Sequence, residues 1–190
     1  MKRTALALCL SLFLALGLTA CIESDIPLIG PETAQTIPGV EGNWTSQQGD
    51  STVRVLIEAR GEDNGYLLRN PEAPESESFL LYFRPLTPEA HLGLMRTIAE
   101  EGSDAREEPD IYFILLYGEN ESTVALYEGP KNQEAIAALL QDNGYGDKDL
   151  GYLDYSLALL LPGEDARLDL LRLLAGNTDV LARQTYRRDR

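Results

Sequence analysis

The amino-acid sequence predicts an α+β fold, with a mainly antiparallel sheet built from hairpins and about three packed helices. Several stretches alternate apolar and polar residues and are joined by short turns, which is typical of β-hairpins. Three other stretches carry apolar residues at helical spacing behind signals that start a helix. Because hairpins and helices alternate irregularly along the chain, the pattern favours an antiparallel sheet over a parallel, doubly wound one.

The first hairpin is predicted between residues 52–58 and 66–68. Apolar side chains alternate along its first strand, and Asn64-Gly65 supplies a turn that tolerates positive φ. Residues 180–186 fit either a short strand or a helix. The remaining predicted strands cover residues 78–84, 111–117, 123–127 and 153–161, and the second and third of these form another hairpin.

Three helices are predicted from their start and stop signals. The first begins at Thr87-Pro88-Glu89, which offers an N-cap hydroxyl, a proline in the first turn and an acid near the helix dipole. Its apolar stripe consists of Leu92, Met95, Ile98 and Ala99. The second helix begins after Pro130 and ends at Asn143-Gly144, and the third runs from Glu164 to Gly176.

Residues 1–20 have the layout of a secretory signal peptide, with a basic opening and an apolar run. The run ends in Leu18-Thr19-Ala20-Cys21, which resembles the lipobox of bacterial lipoproteins. The resemblance implies cleavage before Cys21, a diacylglyceryl group on its thiol and an acyl chain such as palmitate on its amine. The alternative is a retained N-terminal membrane helix, although ~18 apolar residues are near the lower limit for spanning.

The lipobox resemblance also implies a location and an organisation for the mature chain. Ile22 follows Cys21 where an Asp would signal retention at the inner membrane, so the expected site is the outer membrane, facing the periplasm. Residues 21–39 contain three prolines and are predicted to form a tether after the lipidated cysteine. Residues 40–190 are predicted to form a single globular domain.

Charge and composition disfavour several classes of function. The chain has 16 Lys+Arg against 31 Asp+Glu, a net charge of −15, so a nucleic-acid partner is not expected. Residues 167–190 nevertheless hold six arginines. This Arg-rich end is predicted either to dock an anionic partner or to fold back on the acidic body or remain solvated.

Candidate chemistry is sparse, so neither an enzyme nor a cofactor is expected. His91 is the only histidine, and it is predicted on the first helix without a motif that would make it a general base. The loop Asp142–Asp149 fails the spacing of an EF-hand, and zinc would lack ligands, so no metal is expected. The acidic pairs Glu100-Glu101 and Glu107-Glu108 fit exposed loop charge better than acid–base catalysis.

Trp44 is the one candidate ligand-binding residue. Gly42-Asn43-Trp44 followed by a hairpin resembles the opening of lipocalin-type barrels over residues 42–69, which implies a ligand pocket that includes Trp44. The alternative is that Trp44 only anchors the core. Three predicted helices would leave too few strands for a full barrel. The Gly-Xaa-Trp opening together with Tyr186-Arg187-Arg188 is also similar to small bacterial lipoproteins.

Together these observations predict an outer-membrane lipoprotein whose domain is a non-catalytic binding or assembly module. Its partners would be the membrane, through the lipid on Cys21, and an envelope protein. The alternative is a lipocalin-like carrier or sensor of a small apolar ligand that contacts Trp44.

Overall fold

Eight of the chain's strands close into an antiparallel β-barrel, so the predicted α+β fold with three helices is wrong. The computed structural model describes residues 22–61, 63–73, 78–98, 110–117, 122–146, 148–153 and 156–189. Three further strands and two short α-helices pack outside the barrel. The expectation that too few strands remain for a barrel fails because one predicted helix is a strand.

The elements follow one another in chain order with these bounds. The strands are β1 (Ile22–Ser24), β2 (Gly42–Gln48), β3 (Ser51–Ala59), β4 (Tyr66–Arg69), β5 (Phe79–Pro85), β6 (Ala90–Thr97), β7 (Ile111–Tyr117), β8 (Thr123–Pro130), β9 (Leu150–Leu153), β10 (Ser156–Leu159) and β11 (Leu181–Arg188). The helices are α1 (Gln133–Asp142) and α2 (Glu164–Ala175), and a 3₁₀ turn at Thr178–Val180 precedes β11.

The barrel strands follow the order β2-β3-β4-β5-β6-β7-β8-β11, and β11 pairs again with β2. Every neighbouring pair in this ring is antiparallel. Closure leaves the ring without a free sheet edge that could pair with another chain. On the outside, β1 pairs with one end of β7, and β10 and β9 extend the sheet from β1.

The residues predicted as the first helix form β6 instead. The hydroxyl of Thr87 accepts a hydrogen bond from the backbone N of Ala90 at 3.1 Å, but it closes the β5–β6 turn rather than capping a helix. Leu92 and Leu94 are buried in the layer outside the barrel, whereas Met95 is buried inside it. A strand that is apolar on both faces therefore gave the same spacing as the stripe of an amphipathic helix.

The other two predicted helices are confirmed as α1 and α2. Asn132 caps α1, because its side-chain oxygen accepts hydrogen bonds from the backbone N of Glu134 and of Ala135 at 2.9 and 3.2 Å. Ile136 on α1 and Leu168 on α2 are fully buried against the outer face of the barrel. The helices therefore complete an apolar layer between themselves and the barrel wall.

The segment predicted as a tether is packed on the barrel over residues 22–39. Ile22, Leu28 and Ile29 are at most 1% exposed, and the backbone N of Leu28 donates to the hydroxyl of Tyr112 at 3.0 Å. Arg167 fixes the start of the segment by donating to the Ser24 hydroxyl at 2.6 Å. The sequence did not predict this burial, because the apolar residues of the segment follow no periodic pattern. In this structure the segment is part of the domain rather than a spacer.

Candidate functional site

The interior of the barrel contains an apolar cavity of about 60 Å³. The side chains that line it come from strands around the whole ring. They include Trp44 on β2, Phe83 on β5, Met95 on β6, Phe113 on β7 and Tyr186 on β11. Since the lining is almost wholly apolar, the cavity offers water few hydrogen-bond partners and favours hydrocarbon over water.

Trp44 lines this cavity, and a hydrogen bond and a cation–π contact fix the position of its ring. It is 1% exposed, and its indole Nε1 donates to the backbone O of Val40 at 2.7 Å. The guanidinium of Arg188 lies over the indole ring at 5.5 Å from its centre, and it also donates to the backbone O of Glu41. Trp44 is thus both a core anchor and a cavity wall, and Arg188 shows that the Arg-rich end folds back on the barrel.

The end of the barrel next to Trp44 is closed by the segment that leads into β2. Ile37 and Val40 belong to the same buried cluster as the cavity lining. The hydroxyl of Tyr66 accepts a hydrogen bond from the backbone N of Ile37 at 2.8 Å. The ring of Tyr66 contacts Phe83 edge to face at 5.6 Å between ring centres, so this plug is tied to the cavity wall.

A polar cluster formed by Ser46, Gln48, Glu128 and Gln184 lies on the interior face of β2, β8 and β11. Ser46 and Glu128 are 2% and 4% exposed. The amide of Gln184 donates to the Ser46 hydroxyl at 3.5 Å, which is a weak hydrogen bond. Gln48 Nε2, Glu128 Oε1 and Gln184 Oε1 are buried and have no hydrogen-bond partner among the residues that the structure describes.

Burial dominates the acid–base properties of this cluster. It raises the pKa of Glu128 to about 8, so the carboxyl group is mostly neutral at pH 7. The pKa of the Tyr186 hydroxyl is also raised, first by burial and then by the nearby Glu128 charge. Glu128 lies next to the cavity, because it shares one face of β8 with Leu126, which lines the cavity.

His91 lies on β6, where it is paired with Leu115 of β7, rather than on a helix. It shares the inward face of β6 with Met95, and its buried Nδ1 atom has no hydrogen-bond partner within the described part of the chain. Burial lowers its pKa below the ordinary value, so the imidazole is neutral at pH 7.

The remaining sequence-based candidates have different outcomes. Cys21 and the pairs Glu100-Glu101 and Glu107-Glu108 lie outside the described residues. In the Asp142–Asp149 region, Asp149 Oδ2 accepts a hydrogen bond from the backbone N of Gly146 at 2.8 Å, as in a local turn.

Among the residues that the structure describes, no group of three His, Cys, Asp or Glu side chains could hold a metal ion. In the same part of the chain, neither helix is long and apolar enough to cross a membrane.

The polar cluster was missed at the sequence level, although β8 carries a signal for it. Val124, Leu126 and Glu128 share one face of this strand, so the alternation of apolar residues ends in a carboxylate that points inward.

Comparison of the chain with protein families, with curated proteins and with solved structures finds no match. Fold and site together define a closed β-barrel domain with an apolar cavity, which is compatible with a lipocalin-like binding domain.

Proposed function

We propose that the protein is an outer-membrane lipoprotein, anchored through lipid on Cys21, whose barrel binds a small apolar ligand beside Trp44 without catalysing a reaction. The cavity supports the binding role, because apolar side chains surround it on all sides of the ring. Ligand pockets are typically apolar hollows with a few polar groups that fix orientation. The lipobox resemblance at Leu18-Thr19-Ala20-Cys21 supports the anchor.

The size of the cavity restricts the ligand to a thin or short molecule. A cavity of roughly 150 Å³ accepts benzene, and drug-sized ligands need roughly 300 Å³ or more. The present cavity of about 60 Å³ therefore holds part of a hydrocarbon chain, and a longer stretch requires lining side chains to move. Met95 is the most adaptable of these, because its unbranched side chain changes rotamer at little cost.

Trp44 provides a direct test, because it is the only tryptophan in the chain. The full-length chain is reconstituted in phosphatidylcholine liposomes and titrated with n-hexane, while Trp44 fluorescence is recorded. We expect a saturable change in intensity or emission maximum. A signal that stays unchanged up to the solubility limit of hexane would contradict the binding role.

Two phenylalanine variants distinguish a fluorescence response to hexane in the cavity from a response to hexane in the bilayer. Leu126→Phe places a larger side chain in the cavity wall and is expected to abolish the hexane response. Leu80→Phe makes the same change on the outer face of the barrel and is expected to keep the response. A response that survives in Leu126→Phe and matches the Leu80→Phe response would assign the signal to the membrane instead.

The anchor is tested in bacterial cells that are fed labelled palmitate. We expect label on the wild-type chain and on Cys9→Ala, and no label on Cys21→Ala. Equal palmitate labelling of the Cys21→Ala chain and the wild-type chain would contradict a lipid anchor on Cys21.

A further inference from the structure

The polar cluster lies at one end of the barrel, directly beyond the apolar cavity. Along β2 the chain passes from Trp44, which lines the cavity, to Ser46 and Gln48 on the same face. Because β8 runs in the same direction as β2, Glu128 is displaced from the cavity residue Leu126 toward that same end. The three strands are consecutive in the ring, which brings their polar residues together.

On β11 the chain runs the opposite way, and Gln184 precedes the cavity residue Tyr186 by two positions. Gln184 pairs with Leu126 in the β8–β11 ladder, and its amide reaches Ser46 at 3.5 Å. These two contacts connect β8 with β11 and β11 with β2. On each of the three strands, a residue of the cluster therefore shares a face with a residue that lines the cavity.

Several buried polar atoms of the cluster have no hydrogen-bond partner among the described residues. Glu128 is 4% exposed, and its Oε1 is one of these atoms. Gln48 Nε2 and Gln184 Oε1 are the other two, within the same part of the chain. Native proteins satisfy most of their buried polar side-chain atoms, so three orphans at the end of one cavity are unusual. A ligand that enters from this end would supply their partners.

We propose that Ser46, Gln48, Glu128 and Gln184 bind the uncharged head group of an amphipathic ligand, an alcohol or a primary amide, whose hydrocarbon chain occupies the cavity. This inference rests on the proposed function of the barrel as a binding domain and adds the chemistry of the ligand. It assigns the hydrophobic chain to the Trp44 side and the polar group to the Glu128 side.

The hydrogen-bonding types of these unpartnered atoms restrict the chemistry of the head group. Gln48 offers an N–H donor and Gln184 a carbonyl acceptor, so the ligand must both accept and donate a hydrogen bond. A hydroxyl or a primary amide does both. A carboxylate only accepts, and it would bring a negative charge beside Glu128 with no cation among the four residues. The same cost applies to a fatty acid of any chain length.

Ligands with one chain length and different head groups test the assignment. Full-length protein in phosphatidylcholine liposomes is titrated with n-hexane, hexan-1-ol, hexanamide and hexanoate, and dissociation constants refer to the free aqueous concentration. We expect hexan-1-ol and hexanamide to bind at least about tenfold tighter than hexanoate, because a buried charge without a partner is excluded. Hexanoate that binds as tightly as hexan-1-ol would overturn the proposal.

Gln184→Leu removes one hydrogen-bonding partner of the head group. We expect it to weaken hexan-1-ol and hexanamide about five- to tenfold and to leave hexane unchanged. Thr185→Val, the neighbouring position on the outward face of β11, serves as the matched control and should change neither. Glu128→Leu should likewise weaken hexan-1-ol, whereas Glu128→Gln keeps both hydrogen-bonding functions and should retain wild-type affinity within about threefold.

The outcomes separate this inference from the proposed function. If hexane gives no Trp44 response, the binding role of the barrel itself fails. If hexane binds but Gln184→Leu and Glu128→Leu change hexane and hexan-1-ol by equal factors, or change neither, the cavity binds ligands and the head-group assignment alone is overturned.

Discussion

Gly93 and Phe113 lie directly opposite each other in the β6–β7 ladder, and the Phe113 ring fills the space that a side chain at position 93 would need. The same ring contacts Phe83 edge to face at 6.1 Å between ring centres and lines the cavity. The missing side chain of Gly93 therefore determines where an aromatic wall of the cavity can lie.

Gly93→Ala is expected to destabilise the barrel by about 1–3 kcal/mol, because its methyl group would overlap the Phe113 ring inside a closed core. Urea unfolding of the full-length chain, followed by Trp44 fluorescence, measures the change. Gly151→Ala in strand β9 is the control, since its methyl group would meet neighbours only at 3.4 Å and beyond. Equal stability of the two variants would show that the Phe113 ring moves aside at no cost.

Position 93 also shows why the sequence predicted the wrong fold class. A glycine in the middle of a helix costs about 1 kcal/mol, yet the spacing of Leu92 and Met95 favoured a helix. The structure buries Leu92 outside the barrel and Met95 inside it, which a single sequence does not distinguish from one helical stripe. The hairpins and the two other helices followed from local turn and cap signals, which tertiary contacts did not override.

The candidate site was predictable only in part. Trp44 was identified from its neighbours Gly42 and Asn43, and the structure places it in the cavity wall. The polar cluster depends on which strands become neighbours when the ring closes. Gln184 is more than 130 residues from Ser46 in the chain, yet the two are hydrogen-bonded. Local periodicity carries no information about such a pairing, since β11 and β2 come from opposite ends of the domain.

Tyr66→Phe is expected to cost about 1–3 kcal/mol, although only one oxygen is removed. The backbone N of Ile37 would lose its acceptor while it stays buried, so its desolvation would be uncompensated. Tyr82→Phe is the control, because the Asp63 carboxylate that its hydroxyl contacts is partly exposed and water can replace the lost bond. Hydrogen exchange at Ile37 should accelerate in the first variant only; unchanged protection there would contradict the assigned plug.

Arg167→Lys is expected to destabilise the chain by about 2 kcal/mol even though the charge is kept. The buried guanidinium donates to the backbone O of Leu161 at 2.7 Å and to the Ser24 hydroxyl at 2.6 Å, and an ammonium group cannot reproduce this fork. Asp25→Asn should have no measurable effect, because the Asp25 side chain in the ion pair with Arg167 is 82% exposed. Urea unfolding and limited proteolysis of residues 22–40 measure both; identical results for the two variants would remove this role of Arg167.

Glu128 is expected to make the barrel less stable as the pH rises toward 8. Burial raises its pKa in the folded chain to about 8 from the ordinary value of 4.5, so the folded state keeps a proton that the unfolded state loses in between. The free energy of unfolding therefore falls with increasing pH across this window, by up to about 1.4 kcal/mol per pH unit, and levels off above it.

The Glu128 contribution dominates the range from pH 6.5 to 8. His91 has a lowered folded pKa, so its effect has the opposite sign and fades within about one pH unit above its ordinary pKa of 6.5. From pH 6.5 to 8 we expect wild type to lose about 1–2 kcal/mol in urea unfolding. Glu128→Gln should be flat in this range, and Glu164→Gln, a change at a partly exposed position, should keep the wild-type slope. The same slope in Glu128→Gln as in wild type would mean that the buried carboxyl group does not titrate there. A flat profile in that variant alone would identify Glu128 as a neutral acid held inside the barrel at pH 7.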